Sequence, residues 1–367
     1  MTRLSRRWSM CLALVAAGAL GCASGAPAGT PALVTSVVDD RDPVSLLPAA
    51  VDSILTVDLV TLRGSAFAGP FLKAEAPRRE GETEDVEPAA RGSRTRRGFD
   101  ELIDVDAWVF ARLGATGGER AMLELARGRF DRERVRAAFR NQFADARTTT
   151  FGTSSGMTTP THAVVFLSEE VLAFGPPWAL RAVGAVMDGK QPSARQEPWL
   201  KHATTALAEV GPGVRPGMKT AVLMFLRASP AVKTELQEVV GFEMEVDHLG
   251  ARVEVGDEAR AYFDTSTTSK PAADELAGKL REALEGLRGR PSVEALGLGP
   301  VVRRADVLAR GARVVMGLRI TSRERAHVAS KLAALGELLA KRRDEARAQA
   351  EAAADPASSP AAGALPP

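Results

Sequence analysis

Polar and apolar positions along this chain recur with two different periods. Val105, Ala107, Val109 and Ala111 alternate with Asp104, Asp106, Trp108, Phe110 and Arg112, a period of two that predicts a strand with one apolar and one mixed face. Gly114 to Gly118 turns it into a second strand over Met122 to Arg127. Strand-like runs also cover Ile54 to Leu62 and Ala221 to Leu226. Met244 to Asp247 is expected to pair with Ala251 to Val255 across a turn at His248-Leu249-Gly250, and Arg260 to Asp264 extends that meander. Ala305 to Ala309 and Arg313 to Ile320 flank Arg310-Gly311-Ala312 as a further hairpin.

The second period is helical. Asp131 is placed to cap a helix with Val135, Phe139 and Phe143 on one stripe. Pro271 suits the first turn of a helix presenting Leu276, Leu280, Leu284 and Leu287, with Glu275 and Lys279 paired outside. Ser322 is expected to cap the last helix, with Val328, Leu332, Leu335 and Leu339 inward. Trp178 and Trp199 fall in helical stretches that start at Pro176-Pro177 and Pro198. One apolar stripe per helix suits an α+β class: antiparallel sheets with amphipathic helices packed on one face.

Two related halves are expected, 46–208 and 218–347, joined by a linker at 209–217. Leu62-Arg63-Gly64-Ser65 parallels Leu226-Arg227-Ala228-Ser229, Gly98-Phe99-Asp100 parallels Gly241-Phe242-Glu243, and Asp104-Val105-Asp106 parallels Glu245-Val246-Asp247. Residues 75–97 hold six acidic and six basic side chains and no large apolar ones, which reads as a mobile charged loop in the first half. The order resembles a loose group of uncharacterised exported bacterial proteins whose halves open on Leu-Pro-Ala, a strand and Leu-Arg-x-Ser, here Leu47-Pro48-Ala49 and Leu62-Arg63-Gly64-Ser65. That resemblance implies architecture and export, and it carries no catalytic residue.

The amino terminus breaks both periods. Arg3, Arg6 and Arg7 precede an apolar run from Met10 to Leu20, and Ala19-Leu20-Gly21-Cys22 closes it. The pattern resembles the signal peptide (1–21) and lipobox of bacterial lipoproteins, with Ala19 where that family prefers Leu. It implies diacylglycerol on the Cys22 sulfur, cleavage before Cys22 and acylation of the new amino terminus. An apolar run of about eleven residues is shorter than the roughly 20 that span a bilayer. Residues 22–45, rich in Ala, Gly, Pro, Ser and Thr, read as a flexible tether, and 348–367 as a disordered tail. Ala23, in place of the Asp that retains enterobacterial lipoproteins at the inner membrane, points to the outer membrane facing the periplasm.

Composition removes several classes of chemistry. Of the two cysteines, Cys11 lies in the signal and Cys22 would carry lipid, so none remains for a disulfide, a zinc site or a nucleophile. Balanced charge, 48 basic against 46 acidic residues, gives no nucleic-acid surface. His162, His202, His248 and His327 stand 40, 46 and 79 residues apart, without metal-ligand spacing. Gly152-Thr153-Ser154-Ser155-Gly156 fits G-x-S-x-G, but Pro160 with Thr158, Thr159 and Thr161 around it opposes the helix a nucleophile elbow needs, so it reads as a polar hairpin tip. Glu243, Glu245 and Asp247, with Asp104 and Asp106, form an alternating acidic row of the kind a solvated strand face shows. Gly211 to Gly217 approaches a phosphate loop but carries Pro216 where the third glycine belongs.

The expectation is thus a lipid-anchored, non-enzymatic binding or scaffold protein of the envelope, with Cys22 as its modification site and a membrane and an envelope protein as partners. No catalytic, metal or cofactor site is expected. Its rivals are a carrier or sensor of an apolar ligand held between sheet and helices, and a serine hydrolase using Ser154.

Overall fold

A computed structural model describes residues 42–69, 72, 97–114, 120–210, 216–240, 242–295, 297–328 and 330. A short 3-10 helix at Pro43–Leu46 leads to β1 (Val51–Asp58), whose last residue caps helix α1 (Leu59–Gly64): Asp58 accepts from the Thr61 amide at 2.8 Å. Strands β2 (Val105–Gly114) and β3 (Arg120–Gly128) lead to α2 (Arg132–Gln142). A meander follows, β4 (Arg147–Phe151), β5 (Ser154–Thr158), β6 (Ala163–Phe166) and β7 (Val171–Gly175), then helices α3 (Pro177–Met187) and α4 (Pro198–Ala208). The second run is β8 (Lys219–Arg227), α5 (Pro230–Val240), β9 (Val246–Val255), β10 (Ala259–Thr267), α6 (Lys270–Arg288), α7 (Pro291–Ala295), α8 (Gly299–Arg303), β11 (Asp306–Arg310) and β12 (Arg313–Ile320).

The strands form one twelve-stranded antiparallel sheet, in the order β11-β12-β10-β9-β8-β1-β2-β3-β7-β6-β5-β4. The α+β antiparallel class read from the sequence is the one observed. Instead of two sheets there is one, because β1 and β8 pair along Ser53–Val57 and Val222–Leu226 and carry the hydrogen-bond ladder across the chain's midpoint. Outward from the Leu55–Met224 pair the two sides repeat the same order: a neighbouring strand (β2 or β9), then β3 or β10, then the closing strand of a hairpin (β7 or β12).

Helices lie on both faces of the sheet. Helices α3 and α4 cover the face of Ile54 and Phe225, where Leu180, Val183, Leu200, Ala203 and Leu207 pack on Val109, Leu123 and Leu125. Helices α2, α5 and α6 cover the face of Leu55 and Met224. The reason lies in the strands: β1 and β10 bury consecutive residues, so both sides must be shielded. Burying a leucine such as Leu180 or Leu200 contributes about 1.5–3 kcal/mol. Gly184 lets α3 approach closely, since a Cβ there would stand 2.9 Å from the Phe151 carbonyl carbon.

Several boundaries differ from expectation. Helix α1 begins at Leu59, so Arg63 is helical, donating to the Leu102 and Val105 carbonyls, whereas Arg227 closes strand β8. The two Leu-Arg motifs therefore do not occupy matching positions. The last helical run, 322–328, is capped by Thr321 and not by Ser322: the Thr321 amide donates to Glu324 at 2.9 Å and the Glu324 amide to the Thr321 hydroxyl, a capping box. The expected turn at His248-Leu249-Gly250 is the interior of β9, paired on both sides with β8 and β10. Leu207 of α4 packs over Gly250, at ordinary contact distance, 3.5 Å, from where a Cβ would be. The turn falls at Gly256 to Glu258. The signal 1–21, residues 22–41 of the tether, 75–96 of the charged loop, 211–215 of the linker, Gly241, the Leu332-Leu335-Leu339 stripe and the tail lie outside the described residues.

Candidate functional site

The straightening of β9 carries His248 into the sheet, and a cleft forms around it. Counting outward from the Leu55–Met224 pair, Val109, Ala111 and Leu113 of β2 stand where β9 has Gly250, Arg252 and Glu254. Leu123 and Leu125 of β3 stand where β10 has Tyr262 and Asp264. The face that is apolar beneath α3 and α4 in the first half is therefore polar and charged in the second. Helix α4 crosses between them, burying Leu200, Ala203 and Leu207. Its first turn sets Trp199 and His202, three positions apart, on one flank.

Beneath that flank His248 is only 5% exposed. Its Nδ1 lies 2.8 Å from the Ser266 hydroxyl, and its carbonyl accepts from the Thr265 hydroxyl at 2.8 Å. The His202 ring meets it edge to face, centroids 5.1 Å apart. Burial pushes the His248 imidazole down to about 4, helped by His202 and Arg313 and opposed by Asp247. At neutral pH it is uncharged, with one N–H.

Arg313, at the start of β12, ties three elements together. It donates to Asp264 at 2.6 and 2.9 Å, to Glu209 at 2.8 Å and to the Ala206 carbonyl at 2.7 Å, so the last turn of α4 is held to the second-half sheet. Burial pushes the Asp264 carboxyl up, against the pull of Arg313. On β9, Arg252 donates to the Val210 carbonyl just past α4 and pairs with buried Glu254, whose carboxyl burial also raises.

A solvent-open cleft of about 540 Å³ lies between the first turn of α4 and the ends of these strands. Pro198, Trp199 and His202 form one wall, Asp247 and His248 the next, and Ser266, Thr267, Ala312 and Arg313 the rest. Trp199 Nε1, His248 Nε2 and Asp264 Oδ2 are buried without a hydrogen-bond partner. Such groups cost about 1–3 kcal/mol each; the first two belong to residues that line the cleft, and Asp264 is paired with Arg313, which also lines it. Ser266 and His248 are in hydrogen-bond contact, but a triad puts its serine on Nε2 and its orienting carboxylate on Nδ1; here the serine is on Nδ1 and Nε2 has no partner.

Residues singled out in the sequence lie elsewhere, apart from His202, His248 and Asp247. Ser154 opens strand β5 after a tight turn at Gly152, and its hydroxyl faces the Met187 sulfur at 4.0 Å. His162 bonds Thr161 and stacks on Phe143. Glu243 and Glu245 are exposed ahead of β9, near Lys279, and Asp106 pairs with Arg63 at 3.4 Å. Glu169 and Glu170 sit between β6 and β7. Cys22 lies outside the described residues. Among the described residues no group of three or more His, Cys, Asp or Glu could hold a metal ion, and no helix is long and apolar enough to cross a membrane.

The cleft escaped sequence reading because His248-Leu249-Gly250 looked like a turn. One signal was available: charged and hydroxyl residues alternate through Arg260, Tyr262, Asp264 and Ser266, where a strand covered on both faces would be apolar on each. No family model and no curated protein matches the chain. Among solved structures it is similar to TP0453 of Treponema: crystal form IV at TM-score 0.42 and 9% identity, covering 79% of this chain and 96% of that one. Crystal form I matches at 0.38 and 10%, over 79% and 98%.

Proposed function

We propose that the chain is a lipid-anchored, non-enzymatic protein of the bacterial cell envelope, held to the membrane through Cys22 and presenting its sheet domain to an envelope partner. The supporting observation is the order Arg3, Arg6, Arg7, an apolar run to Leu20, and Ala19-Leu20-Gly21-Cys22. Diacylglycerol plus an amide-linked chain supplies the two or more acyl groups that stable anchoring needs. Some 20 residues lie between Cys22 and Asp42, where the described domain begins. A coil of that length spans roughly 25 Å on average and about 65 Å when extended, enough to let the domain stand off the surface. Ala23 after the cysteine favours the outer membrane.

The test is Cys22→Ser. Membrane fractionation together with mass spectrometry of the mature N-terminal peptide should show the wild type acylated and membrane-bound, and the variant released. Wild-type protein with an unmodified Cys22, or a variant that still sediments with membranes, would overturn the anchor.

A further inference from the structure

We infer that the cleft between the first turn of α4 and the ends of β9, β10 and β12 binds an oxyanion, a carboxylate or phosphate group of a small ligand. Helix α4 is eleven residues long and opens on Pro198, which has no N–H, and Glu197 at its N-cap makes no side-chain bond to the amides that follow. The amides of Trp199 and Leu200 thus have no partner within the helix, and Pro198 and Trp199 of that first turn line the cleft. Independent of the helix, His248 lines the cleft, is nine-tenths or more buried and leaves Nε2 without a partner.

The neutral imidazole has one N–H, so what Nε2 offers depends on Nδ1. When the Ser266 hydroxyl donates to Nδ1, across the observed 2.8 Å, Nε2 becomes a donor. The Trp199 indole N–H adds a second unspent donor, while the Arg313 guanidinium in the same cleft is already matched by Asp264 and Glu209. The ring that covers His248 belongs to exposed His202, which a side-chain rotation moves aside. A ligand oxygen then takes the place of that ring contact, and His202 turns to meet it.

Asp247 is the opposing charge. It is exposed at the rim and repels an anion, so it separates this proposal from its nearest competitor, a cation site. The inference does not depend on Cys22: release from membranes and ligand binding fail independently.

The test uses the full chain in mild detergent with 15N-labelled histidine side chains, titrated near neutral pH with sodium phosphate, with sodium acetate, and with sodium chloride at matched ionic strength. His162 and His327 serve as internal references. Phosphate or acetate should move the His202 and His248 resonances along one saturating curve while the references stay still. His202→Ala should weaken that binding about tenfold, or about 1.4 kcal/mol. Asp247→Asn should tighten it several-fold. A dihexanoyl phosphatidic acid arm tells a lipid headgroup from a free anion: a lower dissociation constant than phosphate assigns the former, an equal one the latter. Shifts reproduced by chloride, shifts shared by His162, or weaker binding in Asp247→Asn would overturn the assignment.

Discussion

Acidification should destabilise this fold through His248 by an amount its burial sets. The folded imidazole titrates near 4, whereas an exposed histidine titrates at 6.5. Between those values the unfolded chain binds a proton that the folded chain does not, so stability is lost as pH falls through that window and is whole above it. At about 1.4 kcal/mol per pH unit the interval sets a ceiling of about 3 kcal/mol, and solvent in the open cleft lowers the expected loss to about 2. Burial raises the Asp264 and Glu254 carboxyls, so these groups act in the opposite sense: the folded chain takes up their protons first, which favours folding as pH falls through the raised values. Wild type and His248→Gln share both carboxyls, so their comparison isolates the imidazole. Urea unfolding at about pH 7.5 and about pH 4.5 should show wild type losing about 2 kcal/mol more than the variant. Equal losses in the two proteins would refute the reasoning, whatever the absolute stability of the variant.

Three further outcomes follow from the packing and pairing. Arg313→Met strands the carboxylate of Asp264, itself 1% exposed, and should cost about 3 kcal/mol near neutral pH in urea unfolding, with the deficit shrinking in acid as Asp264 takes a proton; a deficit independent of pH would count against that pairing. Gly184→Val puts side-chain atoms against the Phe151 and Gly152 backbone and should lower stability by about 2 kcal/mol or more, read as a fall of several degrees in the melting temperature, whereas an unchanged melt would refute the close approach of α3. Asp131→Ala removes the oxygen that accepts from the Glu133 and Arg134 amides and should cost about 1 kcal/mol, with Asp131→Ser restoring most of it; an equal loss in both variants would assign the effect to something other than the cap.

Elements whose pattern is local were legible in the sequence. The stripe Val135-Phe139 after Asp131, the Leu276 stripe after Pro271 and the proline-opened helices at Trp178 and Trp199 all form where the period of 3.6 and the start signals placed them. The hairpin at Gly311, which takes φ +62°, is another case, because that conformation favours glycine wherever it occurs. Gly250 shows the limit of such reading. In sequence a glycine in a turn and a glycine inside a strand are the same letter, and only the pairing of Gly250 with Phe225 of β8 and Asp264 of β10 separates them.

The sequence by itself determined the α+β class, the antiparallel hairpins, the single apolar stripe of each helix and the polarity of β10, since each depends on residues within one turn or one strand of each other. The tertiary structure alone decided that one sheet runs through both halves, that helices occupy both faces, and that His202, His248, Ser266 and Arg313 share a cleft. Those outcomes depend on contacts between residues far apart in the chain, such as Met224 beside Leu55 and His248 beneath His202, and no local period encodes a register between distant strands.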